Sequence, residues 1–188
     1  MVRCMVWLCL EYFVLAKRSE FDRIPRDFYP TPIEAVYPLY KYLEGSSKRF
    51  VEPCAGDGRL VRHIERMGHQ CIYKADIEPM ADDINKSDAL FFNNGYPECD
   101  LIITNPPWTR EILHPMIDVF IAHAPTWLLF DAGWMFTEQA RPYLIHCKCI
   151  VAIPRVKWIE GSEHGAMDDC CWYLFDRSWS SGTVFIGR

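Results

Sequence analysis

The sequence predicts an α/β protein built on a doubly wound, largely parallel sheet, and three observations carry that expectation. Short, wholly apolar runs such as LIIT (101–104) and WLLF (127–130) read as strands buried on both faces. Segments with helical spacing lie between such runs, so the strands are joined by crossovers and run parallel. Half of the 188 residues are apolar and 14% aromatic, and no repeat, low-complexity tract or linker divides them, so one core is expected.

The elements follow in order. Residues 1–26 form an N-terminal arm whose apolar run, MVRCMVWLCLEYFVLA, is interrupted by Glu11 and is too short to span a bilayer; we read it as a packing arm or the product of an upstream start codon, with no membrane partner. Residues 27–188 form the domain. TPIEAVYPLYKYLE (31–44) opens with a threonine able to cap and a proline at the first helical position, which predicts a helix despite Pro38. RFVEPCAGDG is a strand entering a glycine turn, and RLVRHIERMG is a helix that stops at Gly68. CIYKADIEP is a second strand ending in an acid, DLIITNPPW a third halted by two prolines, and REILHPMIDVFIAHA a helix. TWLLFD, a short helix in TEQARPYLIHC, KCIVAIPRV and DDCCWYLFDR complete the pattern. The last two strands are separated only by WIEGSEHGAM, so an antiparallel hairpin at one edge of the sheet is expected.

The formal charge of −5 excludes a protein that wraps long nucleic acid by charge alone. The nine cysteines are odd in number and scattered, which fits reduced thiols in a cytoplasmic protein better than a secreted disulfide framework. Cys147, Cys149 and Cys170 could approach one another as a zinc site, but buried core thiols are the expected reading and no metal is assigned. The six histidines show no metal or catalytic spacing, although His164, in the loop GSEHGAM, is placed to overhang a site. Arg155, Lys157 and Trp158 precede that loop and either meet a phosphate and a base or form a solvated basic edge.

In open parallel sheets ligands bind beyond the carboxyl ends of the strands, where strand order reverses. Glu52, Pro53, Cys54, Gly56 and Gly58 make up a turn there, in which missing side chains let a ligand approach the backbone. Asp76 closes the next strand, placed to accept hydrogen bonds from both hydroxyls of a ribose. The absence of GxGxxG argues against a dinucleotide. Asp88, in SDAL, can accept from an adenine amino group. NPPW, Asn105 to Trp108, is the most specific element. The Asn105 side-chain oxygen and the Pro106 carbonyl can each accept one hydrogen of a conjugated amine, which aims the nitrogen lone pair at an electrophile. Pro107 stiffens the turn, and Trp108 offers a flat face for an extruded base.

With these pieces in place, the chain resembles the class I S-adenosylmethionine-dependent amino-methyltransferases, and especially compact phage-type adenine-N6 DNA methyltransferases. The matching segments are DFYPTP, VEPCAGDG, ADIEP, SDAL, DLIITNPPW and the tail from IVAIPR to DDCCWYLFDR, covering nearly everything from Asp27 onward. The resemblance implies a Rossmann-like sheet of seven strands with the last antiparallel, and S-adenosyl-L-methionine as cofactor. It implies that Tyr29, Pro30 and Thr31 hold the methionine end, with the Glu52–Gly58 turn and Asn105 beside it. Asp76 and Ile77 would serve the ribose, and Asp88 and Ala89 the adenine. The implied reaction is methylation of an exocyclic amine, adenine N6 in DNA first. The domain leaves no room for a separate target-recognition unit, so low intrinsic sequence specificity is expected, or a specificity partner or second copy. A protein glutamine or RNA adenine methyltransferase uses the same turn, and a non-catalytic cofactor-binding factor is the alternative from another class.

Overall fold

The computed structural model of the chain describes residues 29–90, 95–158 and 169–188. The N-terminal arm, Asp27 and Phe28, and the loop containing His164 lie outside the described residues. Eight strands form one sheet: β1 (Arg49–Glu52), β2 (Gln70–Asp76), β3 (Asn85–Lys86), β4 (Leu101–Thr104), β5 (Thr126–Asp131), β6 (Cys147–Ala152), β7 (Cys170–Phe175) and β8 (Val184–Ile186). Their order is β3-β2-β1-β4-β5-β7-β6-β8. All pairings are parallel except those of β7, which runs antiparallel to both neighbours.

The doubly wound sheet is therefore as expected, with two differences. The β6–β7 hairpin exists, but β7 is inserted between β5 and β6 instead of lying at the edge. Its residues are buried along nearly the whole strand, so both of its hydrogen-bonding edges must be covered. Beyond the expected seven strands, the more exposed β8 closes the outer edge of β6, running parallel to it.

Alternation along the strands divides the core into two layers. Phe50, Ile103, Leu129 and Trp172 face one side, where α1 (Ile33–Val36), a 3₁₀ turn (Tyr37–Leu39), α2 (Tyr40–Leu43) and α3 (Arg59–Arg66) pack. Val51, Ile102, Phe130 and Tyr173 face the other, against α4 (Arg110–Ile121) and Trp134. There the Phe130 and Tyr173 rings stack at 4.1 Å. The helix expected over 31–44 is broken into these short pieces, because Pro38 removes an amide donor and tightens the chain into the 3₁₀ turn. Thr31 does not cap it: Pro32 occupies the cap position with no side-chain bond. α3 ends as expected, with Gly68 at φ +93°. Among the described residues no helix is long and apolar enough to cross a membrane, and no three His, Cys, Asp or Glu side chains are grouped to hold a metal ion. Cys147, Cys149 and Cys170 are buried free thiols, with burial pushing Cys147 up to about 12.

Candidate active site

Strand order reverses between β1 and β4, whose carboxyl ends lie side by side. The β1 turn is shaped by backbone more than by open space. Gly56 and Gly58 sit at φ +52° and +74°, in the left-handed region that favours glycine. A Cβ on Gly58 would meet the Arg62 guanidinium at 3.2 Å and Ile84 at 3.4 Å, so this glycine also serves close packing.

Asp76, at the end of β2, ties the turn together. One carboxylate oxygen accepts from the Gly56 amide and the other from the Glu78 amide, each at 2.8 Å. Each oxygen keeps a lone-pair direction for a further donor. Ile77 beside it is 54% exposed, an apolar surface next to a pair of acceptors. Asp88 accepts from the Leu90 amide at 2.9 Å, and the Tyr96 hydroxyl donates to the Ala89 carbonyl at 2.9 Å, bracing that segment. Pro53 and Cys54 follow Glu52 beneath the turn. Burial, aggravated by Asp76, pushes the Cys54 thiol far up, which disfavours its thiolate.

Glu52 is the residue whose environment the sequence did not disclose. It is 1% exposed, and its Oε2 has no hydrogen-bond partner among the described residues. Burial first, then Asp76 and Asp57, raise its pKa well above the ordinary 4.5. A carboxyl whose folded pKa is raised stabilises the fold below its unfolded pKa and loses that contribution as pH rises through the folded value. Thermal melts should therefore show Glu52→Gln gaining stability over the parent as pH is raised from about 5 to about 8. A constant difference across that range would place the charge elsewhere.

Asn105 is oriented unambiguously. Its Nδ2 donates to the Tyr29 carbonyl at 3.1 Å and to the Thr31 hydroxyl at 3.3 Å, and since a carbonyl only accepts, the amide oxygen must point the other way. That oxygen accepts from the Trp108 indole N–H at 3.3 Å, which is shared with the Leu129 carbonyl at 3.2 Å. Pro106 is buried, and Pro107 and Trp108 are half-buried. Trp108 packs against both core layers and meets Trp158 edge-on at 6.2 Å, so its indole nitrogen fixes Asn105 in addition to any stacking by its ring. The Tyr29-Pro30-Thr31 segment, the β4 turn and, through Glu52 and Asp76, the β1 turn thus converge at one end of the sheet.

No family model and no curated protein sequence matches the chain. Solved structures do. A protein provisionally assigned as a class I S-adenosylmethionine-dependent methyltransferase from Listeria monocytogenes aligns with TM-score 0.62 at 11% identity, over 89% of this chain and 68% of that one. A type I restriction-modification methyltransferase subunit from Streptococcus thermophilus gives 0.61 at 10% identity, over 84% of this chain and 46% of the subunit, so the chain spans about half the length of that relative. A dimethyladenosine transferase from Plasmodium falciparum gives 0.54 at 17% identity, over 78% and 62%. At such identities the likeness is one of fold: the chain carries the doubly wound, Rossmann-like sheet found in S-adenosylmethionine-dependent methyltransferases.

Proposed function

We propose that this chain transfers a methyl group from S-adenosylmethionine to an exocyclic amino nitrogen, with adenine N6 in DNA as the acceptor. The observation that carries the reading is the NPPW turn, where an amide oxygen fixed from both sides stands at the carboxyl end of β4. An amine conjugated to a ring holds its lone pair in the π system. Two fixed acceptors, Asn105 Oδ1 and the Pro106 carbonyl, favour the pyramidal nitrogen in which that lone pair is free. The methyl donor would supply a carbon activated by its sulfonium charge, the N–C bond forming as the S–C bond breaks and the thioether leaves, with the surplus amine proton passing afterwards to water, so the residues here need only orient the amine.

The β1 and β2 ends suit that donor chemically. The buried Glu52 carboxyl, whose Oε2 has no hydrogen-bond partner among the described residues, with Asp76 and Asp57 nearby favours a ligand bearing positive charge. The two accepting oxygens of Asp76 suit vicinal hydroxyls, and the exposed Ile77 suits the face of a base. Related folds named for type I restriction-modification and for dimethyladenosine transfer are consistent with an adenine amino group. Target choice would come from a second copy or a separate partner.

The test is to offer methyl-labelled S-adenosylmethionine to DNA, RNA and protein, then digest to nucleosides and amino acids. Label in N6-methyladenine from DNA supports the proposal; label in glutamine, or in no polymer, refutes it. If Asp76 receives the ribose, Asp76→Ala should weaken cofactor binding about 10- to 100-fold by calorimetry, the loss expected for charge-assisted hydrogen bonds. Unchanged affinity in a folded variant would move the ribose elsewhere.

A further inference from the structure

A cleft of about 710 Å³ lies between the start of α1, the outer face of α3 and the segment following β6. Arg59, Arg62 and Arg66 line it from α3, and Arg155 and Lys157 from the opposite wall. Glu34 is the single lining carboxylate among the described residues. In a chain of net charge −5 this is a marked local excess of positive charge. Asp57 and Asp169 partly neutralise Arg59 and Arg155, at 3.3 and 3.1 Å, whereas Arg66 and Lys157 stand exposed.

Two further observations point to a ligand. His63 lines the same cleft and is 9% exposed, and among the described residues neither ring nitrogen has a partner at full hydrogen-bond geometry, the Thr31 backbone making only a weak approach to it. Trp158 lines the cleft and meets Trp108 edge-on, so one wall of the cleft touches the tryptophan of the NPPW turn. Pro30, from the segment that holds Asn105, forms part of the same wall.

We infer that this cleft is the track for the acceptor's sugar-phosphate backbone: a single strand lies with its phosphates on the α3 arginines and Lys157 and feeds one base past Trp158 to Asn105. The inference rests on the proposed function and names its substrate path. Guanidinium groups spaced along a helix face bind phosphates through paired donors, and an aromatic ring among them gives a base a surface to stack on. A strand already unpaired avoids the few kcal/mol needed to extract a base from a duplex.

The experiment measures binding of a short, fluorescein-labelled, adenine-containing single strand by anisotropy across a salt series, for the full chain. Arg66→Glu and Lys157→Glu are made singly and together, both at exposed positions where folding should be unaffected. Arg177→Glu is the control, since it follows β7 at the opposite end of the sheet. The double variant should bind at least about 10-fold more weakly and with a shallower salt dependence, losing roughly 0.7 in log–log slope per phosphate contact removed, while the control stays within about 2-fold. Equal binding by parent and double variant, no binding by the parent, or equal competition from polyglutamate would overturn the inference. Cleft-dependent binding with no methyl transfer to any polymer would leave the cleft standing and remove the methyltransferase reading. Methylation of DNA by the double variant with unchanged KM would do the reverse.

Discussion

Asn105→Ala is expected to lower turnover by about 100-fold or more while changing cofactor affinity far less, because the lost oxygen acts on the amine chiefly in the transition state. The geometry makes the expectation specific. With Nδ2 committed to Tyr29 and Thr31, and one lone pair of Oδ1 to Trp108, a single acceptor direction remains for substrate. Alanine removes that acceptor and also the tether on the 29–31 segment. Single-turnover methylation and calorimetric titration with S-adenosylmethionine separate the two losses. Equal decline in both would make Asn105 a structural tie and leave the amine without its orienting group.

Trp172→Ala should be the most damaging substitution for stability, by about 3–5 kcal/mol. The side chain is fully buried in β7, and its indole N–H donates to the Ala35 carbonyl of α1 at 2.7 Å. Truncation opens a large cavity in the layer beneath α1 and leaves a buried carbonyl without its donor, which adds to the cost. For a chain of this size the melting temperature should drop by about 10 °C or more. Trp172→Phe retains most of the packing and loses the hydrogen bond, so it should cost much less. Similar drops for the two variants in thermal melts would mean that the hydrogen bond outweighs the volume.

Local features of the fold were legible in the sequence. Gly68 as the stop of α3, the buried LIIT strand and its arrest by two prolines all depend on neighbours within a few residues. Long-range choices were not. Thr31 reads as a cap, yet its hydroxyl serves Asn105 some 74 positions away. A hairpin of two apolar strands can join a sheet with either member inward, and only the completed burial of β7 decides which. Arg59, Arg62 and Arg66, at spacings of three and four, visibly share a helix face. That this face looks across at Arg155 and Lys157 is set by the sheet and by no local pattern. Glu52 reads as part of a turn because the burial of its carboxyl leaves no mark on composition or spacing.

The interior position of β7 bears on how the chain can be made. β6 joins the rest of the sheet only through β7, which is synthesised after it. A ribosome-bound chain that has emerged only through Ala152 can pair β1, β2, β4 and β5, but it exposes an open apolar edge on β5 and has no place to seat β6. Seating of β6 therefore waits for Cys170–Phe175, whose pairing with β5 is non-local and slowed by loop-closure entropy, and β8 can dock on β6 only after that. During synthesis the unsealed edge of β5 is the surface that chaperones would be called on to shield.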